Sequence, residues 1–484
     1  MSVVETTSGK VRGAIRGGIA TWRGIPYAHA ARFGAPEPVT PWHGERDATQ
    51  FGPVAMQSRD ARAMLVSGVT DKTVMSEDCL ALNIYAPAAD ARRRPVMVWI
   101  HGGAFIMGAG SQPLYNGTAF ARDHDIVVVT LNYRLGLLGF LYLGDLLGAG
   151  YAAGNYALQD QIAALRWVRD NIERFGGDPA NVTVMGESAG AISIATLLGM
   201  PAARGLYHRA ILQSGASGLS PPLRADATAL AADVLVELKT DVRALFELSA
   251  EQLIDAQEHV SRTKGLASFA PYVDEVTVPR LPLESVAAGD AAGVPILLGS
   301  NRDEWRLFDV FFGDAVTQPL IGVLRDKLGP ETARFHAAYR DARADRSDHD
   351  AWIDLIGDVA FRIPMIKLAE AQAAHAPVWM YRFDYTTPAF GGRLGAAHAL
   401  ELPFVWNTVD QPATQMLLGG DAAAAAPLAR SIHDAWARFI RGGDPNGGAL
   451  DWPRYERTQR TTLILDRTPH TVDDPGGSLR ALWQ

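Results

Sequence analysis

The stretch Val182-Thr183-Val184-Met185-Gly186-Glu187-Ser188-Ala189-Gly190 constrains this chain more than any other. An apolar segment with strand character stops at Gly186, and a run of small and apolar residues, Ala189 to Ala195, opens directly after the serine. A strand that turns this abruptly into a helix leaves no room for side chains where the two cross. Gly186 and Gly190 supply that room because neither carries a β-carbon, while Ser188 between them is forced into a strained backbone. G-x-S-x-G in a strand–turn–helix setting is a nucleophile elbow. The hydroxyl stands over a helix N-terminus, where backbone amides and the helix dipole favour a developing anion.

Around this elbow, buried strands alternate with helices. Pro95 to Ile100 is continuously apolar, as in a strand covered on both faces. It runs into His101-Gly102-Gly103-Ala104-Phe105, a glycine-rich turn that can aim amides into a cleft. Ile126 to Leu131 is the next such strand. A helix over Gln159 to Ile172 follows, with Ile162, Leu165, Val168 and Ile172 at helical spacing. Later strands are read at Ala210–Gln213, Pro295–Gly299 and Val378–Phe383, and a last helix at Leu428–Arg441; Ala422 to Ala426 is read as a surface loop or helix start. The pattern predicts an α/β class with a central, mostly parallel sheet flanked by helices. The segment from Met1 to about Asp60 reads as short strands and turns, and Asp60 to Met75 as a loop. Two helix-rich, more charged stretches, 224–294 and 305–376, are read as insertions capping a single domain that spans 1–484.

In a sheet of this kind, functional groups lie beyond the carboxyl ends of the strands. Those positions hold Ser188, Ser214, the group Asn301-Arg302-Asp303-Glu304, and His398. A serine hydroxyl is a weak nucleophile and needs a base, itself held by a third group. Ser188, then an acid at Asp303 or Glu304, then His398 is the chain order of the α/β-hydrolases. The two acids are adjacent, so their side chains diverge and one of them reaches the imidazole. His433, His259, His336 and His375 lie in helix-like stretches where surface or packing roles suffice, and His101 is placed to orient its loop.

The charge balance is 45 Lys and Arg against 53 Asp and Glu, a net −8. Arg92-Arg93-Arg94 reads as a solvated loop before a strand, and no basic cluster is dense enough for nucleic acid. The apolar stretch Ile126 to Gly154 is broken by Arg134 and Asp145, so no membrane span is expected. One cysteine, Cys79, excludes an intrachain disulfide. The first ten residues lack the pattern of a signal peptide, and a cytoplasmic protein is expected.

Several stretches in register resemble the type-B carboxylesterase/lipase family of α/β-hydrolases over nearly the whole chain. They are Gly24 to Tyr27, Glu77 to Tyr85, Trp99 to Phe105, Asn132 to Gly136, Phe175 to Pro179, Gly186 to Gly190, Gln213 to Ala216, His398 to Phe404, Trp436 to Phe439 and Gly443 to Pro445. The likeness is strongest to bacterial members of the p-nitrobenzyl esterase type. It implies Ser188 as nucleophile, Glu304 as the acid, His398 as the base, and an oxyanion hole from the N–H groups of Gly103, Ala104 and Ala189. Ser214 falls where the family has a buried serine near the triad; with Glu187 it is assigned a supporting place there, a satisfied core hydroxyl being the other reading of Ser214. Phe105 and Trp305 are assigned to the substrate pocket, with packing under the cap as the other reading of Trp305. Arg32 with Glu77, and Arg134 with Asp160, match structural ion pairs of the family, and Cys79 is expected as a free, mostly buried thiol.

The implied activity is hydrolysis of small to medium, fairly apolar carboxylic esters through an acyl-enzyme. No metal or organic cofactor is required, and the implied partner is the small-molecule ester. An amide or carbamate hydrolase on the same triad is the alternative. A silent binding protein on this fold is a third reading, although such relatives typically lose the serine. If the pKa of His398 is ordinary, activity falls on the acid side with a midpoint roughly near pH 6 to 7.

Overall fold

The computed structural model describes residues 2–60, 64, 68–88, 90, 92–216, 222–265, 268–343 and 347–484. Its strands are β1 (Ser2–Thr6), β2 (Gly9–Arg16), β3 (Ile19–Pro26), β4 (Glu45–Asp47), β5 (Ala81–Pro87), β6 (Arg94–Ile100), β7 (Val127–Leu131), β8 (Gly177–Glu187), β9 (Arg209–Gln213), β10 (Ile296–Asn301), β11 (Val378–Phe383), β12 (Thr461–Leu465) and β13 (His470–Asp473). They join one sheet in the order β1-β2-β3-β5-β7-β6-β8-β9-β10-β11-β12-β13, with β4 on β2. From β7 to β12 every neighbour is parallel. Antiparallel pairs close both ends. Every residue of β7 and β10 is buried, which is why their sequences are runs rather than alternations.

The helices that matter here are α1 (Tyr156–Asn171), α2 (Ala189–Leu197), α3 (Arg224–Leu238), α4 (Ala250–Lys264), α5 (Arg306–Phe312), α6 (Asp314–Leu328), α7 (Thr332–Asp341), α8 (Asp348–Gly357), α9 (Ile363–Gln372) and α10 (Ala422–Gly442). A π-helical turn, Asp358–Arg362, joins α8 to α9. The alanine patch at 422–426 is the opening of α10, whose apolar stripe of Ile432, Trp436 and Phe439 is fully buried.

The two stretches read as insertions pack differently. Trp305, Ile321, Leu324, Phe335, Tyr339, Trp352, Ile356 and Phe361 form an apolar cluster of their own. By contrast Ala231, Val234, Leu253 and Val260 of α3 and α4, with Ile363, Met365 and Leu368 of α9, join the main core beside the strands. The boundary drawn at 376 therefore runs past the separate cluster, because α9 covers the sheet. Residues 266–267 and 344–346 of these stretches, and 61–63 and 65–67 of the loop read at Asp60 to Met75, lie outside the described residues. Arg94 departs from the reading of a solvated loop: it is buried in β6 and pairs with Asp90 and Asp125 at 2.7 Å each.

Because β6 lies between β7 and β8, the chain leaves it on one side and returns on the other. That reversal opens a crevice beyond the carboxyl ends of β6 and β8. The turn His101–Phe105 and Ser188 both sit there. Shortly after β7, Arg134 donates from its guanidinium to Asp160 at 2.7 and 2.8 Å with both side chains buried. Arg32 and Glu77 form the second expected pair, with Arg32 Nε donating at 2.9 Å. Cys79 is free and buried.

Two outcomes follow for stability. Asp160→Ala strands a buried guanidinium and is expected to cost about 3–5 kcal/mol in urea unfolding; a loss near zero would mean that water reaches Arg134. A β-carbon at Gly190 would lie 2.0 Å from the Ile100 carbonyl oxygen, whereas one at Gly205, at φ +75°, meets nothing within 4 Å. Gly190→Ala is expected to lose about 3 kcal/mol or more by overpacking. Gly205→Ala should lose about 1 kcal/mol, for its left-handed backbone alone. Equal losses would remove close approach as the reason for Gly190.

Candidate active site

Ser188 caps the N-terminus of α2 with φ 55° and ψ −123°, a conformation that L-residues rarely adopt. Its N–H donates to the Gln213 carbonyl at 2.8 Å, and its own carbonyl accepts from Ile192 at 2.9 Å, so both sides of the strained residue are held. Ser188 is partly exposed while Glu187 and Ala189 beside it are buried. The elbow thus lifts one hydroxyl out of an otherwise sealed junction.

His398 Nδ1 lies 2.7 Å from Glu304 Oε2, and Glu304 Oε1 accepts the Asn301 N–H at 2.7 Å. Of the two adjacent acids, it is Glu304 whose side chain meets the imidazole. Asp303 turns the other way, accepting the Ala396 N–H at 2.9 Å and pairing with Arg302 and Arg343. The second imidazole nitrogen, Nε2, stands 3.0 Å from Glu187 Oε1, close enough for an ion pair but too poorly aligned for a hydrogen bond. The structure thus brings Glu304 to His398, and brings His398 to the residue immediately before Ser188. Glu187 therefore does not hold Nε2 through an aligned bond. Catalytic hydrogen bonds commonly tighten only when substrate is present.

Beside the elbow, Gly103, Ala104 and Phe105 all have positive φ, of 115°, 52° and 64°. The turn is closed by Ile106 and Met107 donating to the Gly103 carbonyl at 3.1 and 3.0 Å. It approaches so closely that a β-carbon on Gly102 would sit 3.1 Å from Ser188 Cβ. Among the described residues no protein acceptor takes the N–H of Gly103, Ala104 or Ala189. Three amides with unused donors beside a serine are suited to an oxyanion. His101 is buried and stacks on Tyr133, its Nδ1 lies 2.8 Å from the Gly102 carbonyl, and burial pushes its pKa down to about 4, so it braces the turn as a neutral ring.

Four acidic or basic groups share this buried site. Burial pushes Glu187 up to about 8, against the opposing pull of His398. Burial alone would lower His398; Glu187, then the Glu304 hydrogen bond, outweigh it and raise the imidazole to about 9. Glu401 is also raised by burial, yet its two oxygens are satisfied by Gln213 Nε2 at 2.9 Å and Asn301 Nδ2 at 2.6 Å. Among the described residues no group of three or more His, Cys, Asp or Glu is placed to hold a metal ion.

Two rings that the sequence pattern does not single out touch His398: Phe361 with centroids 4.6 Å apart and Phe308 at 5.2 Å. Phe308 is one helical turn beyond Glu304, a spacing that is visible in the sequence; Phe361 comes from the π-turn and carries no such signal. Trp305 stacks on Phe308 at 4.5 Å and donates its indole N–H to Thr317 at 3.3 Å, so its packing reading is the one its contacts support. Phe105 is buried against Phe140. Ser214 is fully buried at φ 47°, and its hydroxyl has no partner among the described residues.

Residues 1–478 match the model of the carboxylesterase family. The para-nitrobenzyl esterase of Bacillus subtilis (strain 168) is 40% identical over 99% of this chain and 97% of its own length. The phenmedipham hydrolase of Pseudarthrobacter oxydans is 35% identical over 96% and 94%. A Geobacillus stearothermophilus carboxylesterase structure superposes with a TM-score of 0.89 at 40% identity, covering 100% of both chains. With a mostly parallel sheet, an elbow serine at its reversal point and these relatives, the chain belongs to the carboxylesterase family and is a serine hydrolase of carboxylic esters with the α/β-hydrolase fold.

Proposed function

We propose that Ser188, His398 and Glu304 carry out this hydrolysis, with the amides of Gly103, Ala104 and Ala189 holding the oxyanion. The observation that supports the assignment most is the 2.7 Å contact of Glu304 with His398 beside a strained, accessible serine. Ser188 Oγ attacks the ester carbonyl carbon while His398 Nε2 takes its proton. The oxyanion collapses, and the alcohol leaves with that proton from His398. Water then attacks the acyl-serine, gives a proton to the same nitrogen, and releases the acid and the free serine. Glu304 fixes the tautomer and stabilises the imidazolium.

Phe308 and Phe361 give the space around the imidazole apolar walls, which supports esters of small to medium, fairly apolar groups as substrates. The helices α5 to α8, with their own apolar cluster, are read as the cap over this space, on a single domain. Glu187 and Ser214 are read as supporting groups beside the triad. Among the described residues no helix is long and apolar enough to cross a membrane. A bacterial, cytoplasmic setting is proposed: the relatives named above are bacterial, and a fold that keeps Cys79 as a buried thiol needs no oxidising compartment.

The test is hydrolysis of p-nitrophenyl acetate, butyrate and octanoate, with fluorophosphonate labelling and peptide mapping. Ser188→Ala is expected to lose at least about 1,000-fold in kcat and to lose the label. Label on another serine with turnover retained would refute the assignment.

The acid limb provides a second check. His398 must be neutral to accept the serine proton, and its carboxylate neighbours raise its pKa. The midpoint of kcat/KM is therefore expected above the pH 6 to 7 of an ordinary histidine (roughly its unperturbed range), with activity lost as pH falls through it. Glu187→Gln removes the strongest raising charge and is expected to move the midpoint down. A midpoint that stays in place, or rises, would show that Glu187 is not charged against the imidazole.

A further inference from the structure

Asp303 touches neither Ser188 nor His398 by any contact described, yet it is the most heavily held carboxylate near them. Its side chain is fully buried. It exchanges a pair of hydrogen bonds with Ala396: the Asp303 N–H donates to the Ala396 carbonyl at 3.0 Å, and the Ala396 N–H donates to Asp303 Oδ2 at 2.9 Å. Directly after this exchange, the His398 N–H reaches the Glu304 carbonyl at 3.3 Å. The turn bearing Glu304 and the turn bearing His398, 94 positions apart in sequence, are thereby joined side by side. Gly395 permits the approach. It has φ +59°, and a β-carbon there would lie 2.5 Å from Asp303 Oδ2.

The same carboxylate faces the cap. Arg343, just past α7, donates to Asp303 Oδ1 at 2.7 Å and to Asp354 of α8 at 3.1 Å. Arg306 runs a parallel tie, from Asp350 of α8 at 2.5 Å to the Arg393 carbonyl on the His398 loop at 3.1 Å. Burial would raise the Asp303 pKa, but Arg302 and Arg343 outweigh it and hold the group at about 2, so the charge persists across the working range.

We propose that Asp303 is the positioning residue that sets the reach of His398, welding its loop to the Glu304 turn and, through Arg343, coupling that weld to the seating of the cap. The inference rests on the reading of Ser188, Glu304 and His398 given above. A hydrogen-bonded imidazole tolerates little displacement, since a shift near 1 Å in a reacting group costs about 100-fold in rate. Asp303→Asn keeps the shape and one acceptor for the Ala396 N–H but removes the charge that the two arginines share. The loop then loses its electrostatic anchor, and His398 shifts against Glu304 although every group of the triad is still present.

The experiment measures kcat, KM and the acid-limb midpoint of Asp303→Asn and Arg343→Gln against wild type, with rates normalised to sites titrated by fluorophosphonate. Asp303→Asn is expected to lower kcat about 100-fold with KM changed by less than about twofold, and to shift the midpoint down as the Glu304 bond loosens. Arg343→Gln, on a partly exposed side chain, keeps the test open if the first variant folds poorly; it should lower kcat about tenfold in the same pattern, and Arg343→Lys should restore part of it, since both bonds leave the single nitrogen Nη1 and an ammonium keeps the charge. A merely structural role would reduce the titrated sites and leave kcat per site and midpoint unchanged, and that result overturns the proposal. Ser188→Ala and His398→Ala are run alongside. If either keeps turnover, the triad reading falls and this inference with it. If both lose turnover while Asp303→Asn and Arg343→Gln behave as wild type, only the positioning role falls.

Discussion

The whole arrangement depends on one contact: the backbone of α2 against the last carbonyls of β6. At Gly190 there is 2.0 Å between the place of a β-carbon and the Ile100 oxygen, and at Gly186 the nearest atoms are the backbone of Gly190 itself at 2.7 Å. Strand, turn and helix therefore behave as one body. This rigidity maintains Ser188 in a backbone state that costs roughly 1–3 kcal/mol elsewhere. The strain is absorbed by a core in which Val98, Ile100, Val184 and Ala191 are completely buried. The same closeness brings the turn after β6 against the elbow, so that the amides of two separate segments converge on one point beside the serine. A looser junction would place the hydroxyl and the amides independently of each other.

What is legible in the amino-acid sequence is what parallel-sheet physics makes repetitive. Strands buried on both faces are apolar runs, so β6, β7, the second half of β8, β9, β10 and β11 stand out, and the carboxyl ends of β8, β10 and β11 point to Ser188, Glu304 and His398. Adjacent acids after β10 do not sort themselves by pattern, since a turn sends consecutive side chains in different directions. Only the partners distinguish them: an imidazole for Glu304, two guanidiniums and an amide for Asp303. Arg94 hides its place for a related reason. A charge run looks solvated until the strand that includes its last member is seen to bury it against Asp90 and Asp125.

Other contributors are hidden because nothing periodic marks them. Phe361 reaches His398 from a π-turn, where an added residue breaks the helical spacing set by Trp352 and Ile356. Trp305 draws attention by its size and its place after the acid. The ring that meets the imidazole is instead Phe308, one turn further on, with Trp305 stacked against it. Size marks a residue for burial; direction, which sequence spacing gives only within a helix, decides what it touches.

The carboxylates around His398 divide by how well each is solvated by protein. Glu401 has two amide donors, one on each oxygen, and Glu304 has the Asn301 amide and the imidazole. Glu187 has only a misaligned nitrogen. A buried acid without donors is the one that burial pushes up, and Glu187 is lifted to about 8 against the pull of His398. Glu304 holds Nδ1 through a 2.7 Å contact, while Glu187 meets Nε2 without an aligned bond. In the proposed mechanism that asymmetry is what frees Nε2 for Ser188 while Nδ1 stays fixed, so the site obtains one rigid bond and one mobile one from the same histidine.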